Sequence, residues 1–332
     1  MIAESRPLLS RVADSVYWMA RYIERAENVA RFIGVNLHLQ LDLPLEPAHR
    51  WQPLIDTSGD AEVFQQRYGE ASQANVIRFL TADADNPNSI FSCLQAAREN
   101  ARSVRETISS EMWEQVNRMY LEIQPPLALP EAEGLSDSLR RFRFSCHLFQ
   151  GIADATMSHN EAWHFIRLGG SIERADKISR ILDVKYFMLL PSPTFVGTPY
   201  DDLHWSAVLK SVSGFEMYRK KYGRISPREI VEFLVIDREF PRAIHHCVRA
   251  ADESLHAITG TPKGTFRCRS EQLIGPLRAE LEFTSVDRVL QEGLHEYLDG
   301  VQVKLNAIGD SLSDDFFAWR RQSQAAAASD NG

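Results

Sequence analysis

The sequence predicts an all-α protein, a tandem-duplicated helical bundle whose halves are related by a pseudo-twofold, and three observations predict it. Apolar residues recur at steps of three and four along most of the chain. No run of alternating apolar and polar residues bounded by turns competes as a strand. A nine-residue segment occurs twice without a gap.

The elements follow in order. Ser10 is a candidate N-cap, and Val12, Val16, Met19, Ile23, Ala26, Ala30 and Ile33 then form one apolar stripe over about six turns. Asp42 to Asp60, rich in proline and turn residues, is expected to break it. A short helical piece near Glu62 to Leu80 precedes the turn cluster Asp83 to Asn88. Leu94, Ala97, Ala101, Val104 and Ile108 define a second long helix, with Trp113, Val116 and Tyr120 on it or its neighbour. Gln124 to Gly134 carries three prolines and reads as a linker, so the first unit spans 1–134 and the second 135–320, with 321–332 a frayed tail. In the second unit helices are expected over Leu135 to Ala155, from Asn160 past Leu168-Gly-Gly170 to Leu190, and from Asp201 or Asp202 towards Gly223. Ser226-Pro227-Arg228-Glu229 has the form of a capping box with proline at N1. Ile244, Val248, Ala251, Leu255 and Ile258 mark a further helix, and Leu277 to Ile308 the last ones.

With 332 residues, 44% hydrophobic and 25% charged, the chain is long enough for a substantial core and too apolar to be disordered. A formal charge of -8 argues against a general nucleic-acid binder. The densest basic run, Arg219-Lys220-Lys221, reads as the favourable cationic end of a helix. No stretch approaches the ~18 apolar residues of a membrane span, and Met1 to Arg11 lacks a signal-peptide core, so a cytoplasmic location is expected. Cys93, Cys146, Cys247 and Cys268 form no CxxC pair and read as reduced, mostly structural thiols.

The repeated segment is Ile23-Glu-Arg-Ala-Glu-Asn-Val-Ala-Arg31, which returns as Ile172-Glu-Arg-Ala-Asp-Lys-Ile-Ser-Arg180. Internal duplication is its natural cause. Together with Asp14-Ser-Val-Tyr-Trp-Met-Ala-Arg21, Ala97-Arg-Glu-Asn-Ala-Arg102, Glu111-Met-Trp113 and Leu182-Asp-Val-Lys-Tyr186, it closely resembles the bacterial alpha-E domain family, named for its ER dipeptide, over Leu8 to Trp319. The resemblance implies a duplicated helical domain. It also implies an association with ATP-grasp ligases and transglutaminase-like proteases in peptide synthesis or modification, and Arg98, Glu99 and Arg102 as further members of the signature. No cofactor is implied.

On a helical wheel, Asn28, Arg31, Arg21 and Tyr17 lie within roughly 60° of Glu24, with Glu27 on the same side. This polar stripe of Glu24, Glu27 and Arg31 is matched by Glu173, Asp176 and Arg180, opposite a core face of Met19, Tyr22, Ala26, Val29 and Ile33. Glu27 with Arg31, and Asp176 with Arg180, are adequately explained as surface i,i+4 pairs. Arg25 and Arg174 are not, since each falls at the core boundary, where a guanidinium needs a carboxylate. The expected arrangement packs the two ER helices together, with Glu173 bonding Arg25 and Glu24 bonding Arg174. Two uses remain open: a buried structural clasp, or a ligand-binding or catalytic groove in which arginine meets the carboxylate and glutamate the ammonium of a peptide or amino acid.

Weaker constellations carry less. Glu161-Ala-Trp-His164 and Glu292-Gly-Leu-His295 have the Glu-x-x-His spacing of di-metal helix bundles, with Glu24 and Glu99 conceivable as the other carboxylates. Chance supplies such matches readily, so no metal is assigned. His245 and His246 point about 100° apart on one helix and are poorly placed to face one metal together. Cys247 reads as a buried helix cysteine rather than a reactive thiol. The leading expectation is an accessory, partner-binding or peptide-binding subunit. The alternative is an enzyme acting on a peptide or amide through the paired Glu/Arg groove, and a di-metal oxidase is the remotest. A pocket holding these charges would favour the enzyme, and charges that fill one another the accessory role.

Overall fold

The computed structural model describes residues 8–42, 47–123, 132–189 and 199–317, and every regular element among them is helical. The first half holds α1 (Ser10–Asp42), α2 (Pro47–Ser58), α3 (Ala61–Tyr68), α4 (Gln73–Thr81), α5 (Ile90–Ser103) and α6 (Ser110–Ile123). The second holds α7 (Ala132–Thr156), α8 (Glu161–Leu189), α9 (Pro199–Ser211), α10 (Phe215–Tyr222), α11 (Pro227–Val231) running into a π-helical turn (Glu232–Ile236), then α12 (Ile244–Thr259), α13 (Arg269–Phe283), α14 (Val286–Glu292) and α15 (Leu294–Phe316). Most of the expected linker, residues 124–131, lies outside the described residues, as does the tail 321–332. The helix opening the second half takes in Ala132 to Gly134. None of the described helices is long and apolar enough to cross a membrane.

The axis of the bundle is α1, which packs against α5, α7, α8, α9 and α15. Because neighbours surround it, its polar stripe is as buried as its apolar one: Glu24, Glu27, Asn28 and Arg31 are shielded along with Val16, Met19, Ile23 and Ile33. The second ER helix, α8, lies along α1 and is held from its other side by α12 and α15. One connected core, running from Val12 to Phe317, fills the space between these elements.

Five expectations change. The helix expected over Leu94 to Ile108 stops at Ser103, and the one expected from Asp201 or Asp202 towards Gly223 is split into α9 and α10 by the turn at Ser213, which takes a positive φ. The proline-rich stretch after Asp42 is helical from Pro47, because Trp51, Leu54 and Ile55 sit at i, i+3 and i+4 and all three are buried. Its turn composition masked that short apolar face. The piece near Glu62 to Leu80 is two helices, split where Gly69 takes a left-handed φ of 68° and Ser72 caps the amide of Asn75. At Ser226-Pro227, α11 starts with proline in its first turn, but the serine hydroxyl makes no cap. The Tyr218 hydroxyl organises the turn instead, accepting from the Ser226 amide and donating to the Arg224 carbonyl, each at 3.0 Å.

Leu168-Gly-Gly170 passes through the middle of α8 without stopping it, and its first glycine has a packing reason. A Cβ at Gly169 would stand 2.5 Å from the Tyr17 carbonyl oxygen, backbone that cannot swing aside, whereas one at Gly170 would meet nothing within 4 Å. Gly169 therefore sets how closely α8 approaches α1. Gly169→Ala should lower stability by about 1–3 kcal/mol through this overpacking, while Gly170→Ala should be neutral or raise it by about 0.5–1 kcal/mol through helix propensity. Urea unfolding midpoints of the two variants give the comparison.

Candidate functional site

The close approach of α1 and α8 brings the two ER dipeptides face to face. Arg25 donates to Glu173 through Nε (2.7 Å) and Nη2 (3.1 Å), and Arg174 donates to Glu24 through Nε (3.0 Å) and Nη2 (2.6 Å). Each fork is bidentate, the geometry that guanidinium and carboxylate match best. The arginines are 17% exposed at the side chain, whereas Glu173 is 0% and Glu24 2%, so the stems lie at the core boundary and the carboxylates lie inside.

Around Glu173, Arg21 adds a bond of 2.8 Å from Nε and stacks its guanidinium 4.7 Å from the Trp18 ring. Arg25 also donates to Asn88 (2.8 Å), whose amide bonds both oxygens of Asp60 at 3.0 Å. Asp176 accepts from Arg180 at 3.0 Å and lies 3.3 Å from Lys177. Burial pushes the Glu173 carboxyl up, but Arg25 and Arg21 outweigh it and hold the group well below the ordinary glutamate range.

Around Glu24 the network is denser. Arg242 donates to Glu24 (3.0 Å) and Glu27 (2.5 Å), Gln150 to Glu24 (3.2 Å), and Asn28 to Glu24 from the same helix. Glu27 and Arg31 are hydrogen-bonded as the i,i+4 spacing implies, yet they form no surface pair. Their exposures are 0% and 1%, and Arg31 is the largest fully buried side chain among the described residues. The wheel assigned them to a solvated face because it could not register the helices packed over it. Arg31 also bonds Ser213, and His147 lies 3.1 Å from Glu27. Burial raises Glu24 and Glu27, while Arg174 and Arg242 at the first and Arg242, His147 and Arg31 at the second bring both below the ordinary value. For Arg31 it is the charged form that is disfavoured: burial and the like charge of Arg242 pull it down to about 10.

Arg242 escaped sequence reasoning, as did Asn88 and the part played by Arg21. A signal for the first two exists in a second internal match. Asp83-Ala-Asp-Asn-Pro-Asn-Ser-Ile-Phe-Ser-Cys93 aligns with Asp237-Arg-Glu-Phe-Pro-Arg-Ala-Ile-His-His-Cys247, sharing aspartate, proline, isoleucine and cysteine at equal spacing. The local structures agree. Each aspartate accepts from the amide two residues on, and each cysteine thiol bonds the proline carbonyl six residues back. Asn88 and Arg242 hold matching places, one reaching Arg25 and the other Glu24 and Glu27.

A pocket of about 460 Å³ opens beside the cluster, between α1, α7, α8 and α12. Arg174 and Glu24 form part of its wall, with Arg167 over the Trp163 ring and Asp154 accepting from the Trp163 indole at 3.2 Å. His246 also lines it, its Nδ1 turned to the Arg238 carbonyl. Cys247 reaches it but is no nucleophile, since burial pushes its thiol up to about 12.

The remaining candidates do not join the cluster. Arg98, Glu99 and Arg102 form a surface ladder on α5, with Arg98 bonded to Asn117 and Arg102 to Glu99. Glu292 and His295 share no helix, because Gly293, at φ 100°, separates α14 from α15. His295 instead bonds Asp183 and Glu161 accepts from the Leu8 amide. No group of three or more His, Cys, Asp or Glu among the described residues could hold a metal.

A helical bundle organised around two facing Glu-Arg dipeptides is the class of protein these observations define. The family model for Alpha-E, described as a predicted alpha-helical domain with a conserved ER motif, matches residues 8–317, and the chain belongs to that family. Uncharacterised proteins of Mycobacterium bovis and Mycobacterium tuberculosis are similar to it at 23% identity over 331 residues, covering 91% of this chain and 36% of each relative. The chain thus spans about a third of the length of these curated relatives. No solved structure matches it.

Glu173→Gln removes the charge that two guanidiniums share, and should cost about 3–5 kcal/mol in unfolding free energy, the usual penalty for a buried ion left unpaired. The triple replacement Glu173→Leu, Arg25→Met and Arg21→Met should recover most of that loss. The pH dependence has a definite sign. Glu24, Glu27, Glu173 and Asp176 have folded pKa values below their unfolded values of 4.5 and 3.8, so below pH ~5 the unfolded chain binds more protons and stability falls with acid. Melting temperatures measured from pH 7 to pH 3 should show this decline, and a shallower one in the triple variant.

Proposed function

We propose that the chain is an accessory, peptide-binding unit of a peptide synthesis or modification system. The carrying observation is a division of labour. The ER charges are consumed by one another in the interior, while the pocket beside them keeps solvent-accessible charges of both signs: Arg167, whose pair with Glu253 at 3.1 Å is itself open to water, and the exposed Asp154, over the Trp163 ring. That set suits a zwitterion, with guanidinium for a carboxylate, carboxylate for an ammonium and an aromatic floor for the body between. Glu24, whose lone pairs already serve Arg174, Arg242, Gln150 and Asn28, is a wall of this site rather than its ammonium receptor.

The accessory reading is preferred over catalysis because neither the carboxylates of the cluster nor Cys247 is poised to attack or to move a proton. The carboxylates of the cluster are held ionised by arginine, and the Cys247 thiol is held protonated. An ATP-grasp ligase and a transglutaminase-like protein are the partners this role calls for. In the same reading the halves 1–134 and 135–320 are duplicated units related by a pseudo-twofold. The reciprocal Arg25–Glu173 and Arg174–Glu24 forks support this, as do the matched Asp83 and Asp237 segments.

Calorimetry with short unblocked peptides and their acetylated, amidated counterparts tests the pocket. Binding should weaken about tenfold or more, roughly 1.4 kcal/mol per decade, on blocking the termini and in Arg167→Ala or Asp154→Ala. Equal heats for blocked and free peptides, or none at millimolar concentration, would sink the proposal. Co-purification from the native host tests the partners, and repeated absence of both enzyme types would remove that part.

A further inference from the structure

The buried network around Glu24 does not balance. Two carboxylates, Glu24 and Glu27, face three guanidiniums, Arg31, Arg174 and Arg242, and both Arg31 and Arg242 draw on the same Glu27 oxygen. An excess cation in the interior is costly unless an anion lies within reach. Following Arg31 outward leads to Ser213, whose hydroxyl oxygen accepts from the guanidinium and whose proton therefore remains available to donate. Ser213 is also the one non-glycine residue with a positive φ (51°) among the described residues, a conformation that L side chains seldom adopt. It holds the turn between α9 and α10 with its side chain against Arg31.

Ser213 lines a second pocket, of about 290 Å³, walled by α1, α7 and α9. Its charges are lopsided. Arg143 is half-buried there and has no hydrogen bond or ion pair among the described residues, while Lys210 reaches only the face of the Phe215 ring, at 5.5 Å. Arg140 sits on the rim in a solvated pair with Asp137, and Glu216 is the single carboxylate lining the space. Leu139 and Leu203 supply apolar wall.

We propose that this pocket is an anion site, taking a phosphate monoester or carboxylate on a small apolar body, with Arg143 and Lys210 as its cations and the Ser213 hydroxyl as a donor. The anion completes the charge balance that Glu24 and Glu27 leave short. This site lies outside the peptide pocket and does not depend on the function proposed for it.

Phenyl phosphate and benzoate distinguish the two anion chemistries in titration calorimetry at neutral pH. At least one should bind saturably and weaken with added salt. That affinity should fall about tenfold or more in Arg143→Gln and in Lys210→Gln, and rise in Glu216→Gln, which removes the opposing charge. Arg167→Ala, in the other pocket, should leave it unchanged, which separates failure here from failure of the peptide reading. Lys210 and Glu216 are exposed, so their variants carry the test even if Arg143→Gln does not fold. No saturable heat from either probe at about 10 mM, far weaker than specific recognition requires, would overturn the site. So would affinity indifferent to Lys210→Gln and Glu216→Gln, or equal loss in the remote surface variant Arg105→Gln.

Discussion

Two glutamates taken out of water on adjacent helices govern this structure. Glu24 and Glu173 are each too buried to stay ionised alone, and each stays ionised because an arginine from the other helix reaches it. Such pairs seldom add much net stability over an apolar core, but they punish misalignment, since a shift of α8 against α1 would strand a charge on both sides. Gly169 makes the approach possible by letting α8 rest on the Tyr17 carbonyl. The register of α1 against α8 thereby orients α7, whose Gln150 bonds Glu24, and the turn leading into α12, whose Arg242 bonds the same carboxylate.

This constraint separates scaffold from surface. Residues that look most like a catalytic constellation, an acid beside a base repeated twice, are the ones least able to act on a ligand, because their bonding capacity is spent. The charged side chains that still meet solvent lie one shell out, where Arg167 and Asp154 line one opening with Trp163, and Arg143 and Lys210 another with Ser213. The chain Arg174–Glu24–Arg242–Glu27–Arg31 connects the walls of the two pockets through the interior.

The ER pairing was legible because a boundary arginine used twice demands a carboxylate, and the repeat offered only a few. Glu27 and Arg31 were misread for a reason built into the helical wheel. It gives the angle between side chains and is silent about whether solvent or another helix lies at that angle. Arg242 was harder still, lying 218 residues from Glu24 on a turn whose kinship to Asn88 shows only when a sparse match of aspartate, proline, isoleucine and cysteine is aligned. The helix at Pro47–Ser58 was hidden by composition, although three apolar residues at helical spacing were present.

By itself the sequence determined the helical class, the course of the long helices and the repeated Glu-Arg segment, because periodicity and duplication are properties of the chain that need no neighbours. Tertiary structure decided what the polar residues mean. It put Glu27 and Arg31 in the interior, spread Arg98, Glu99 and Arg102 over the surface, and parted Glu292 from His295 at Gly293. The physical reason is that a charge takes its cost and its role from the dielectric and the partners around it, and both are supplied by helices distant in the chain.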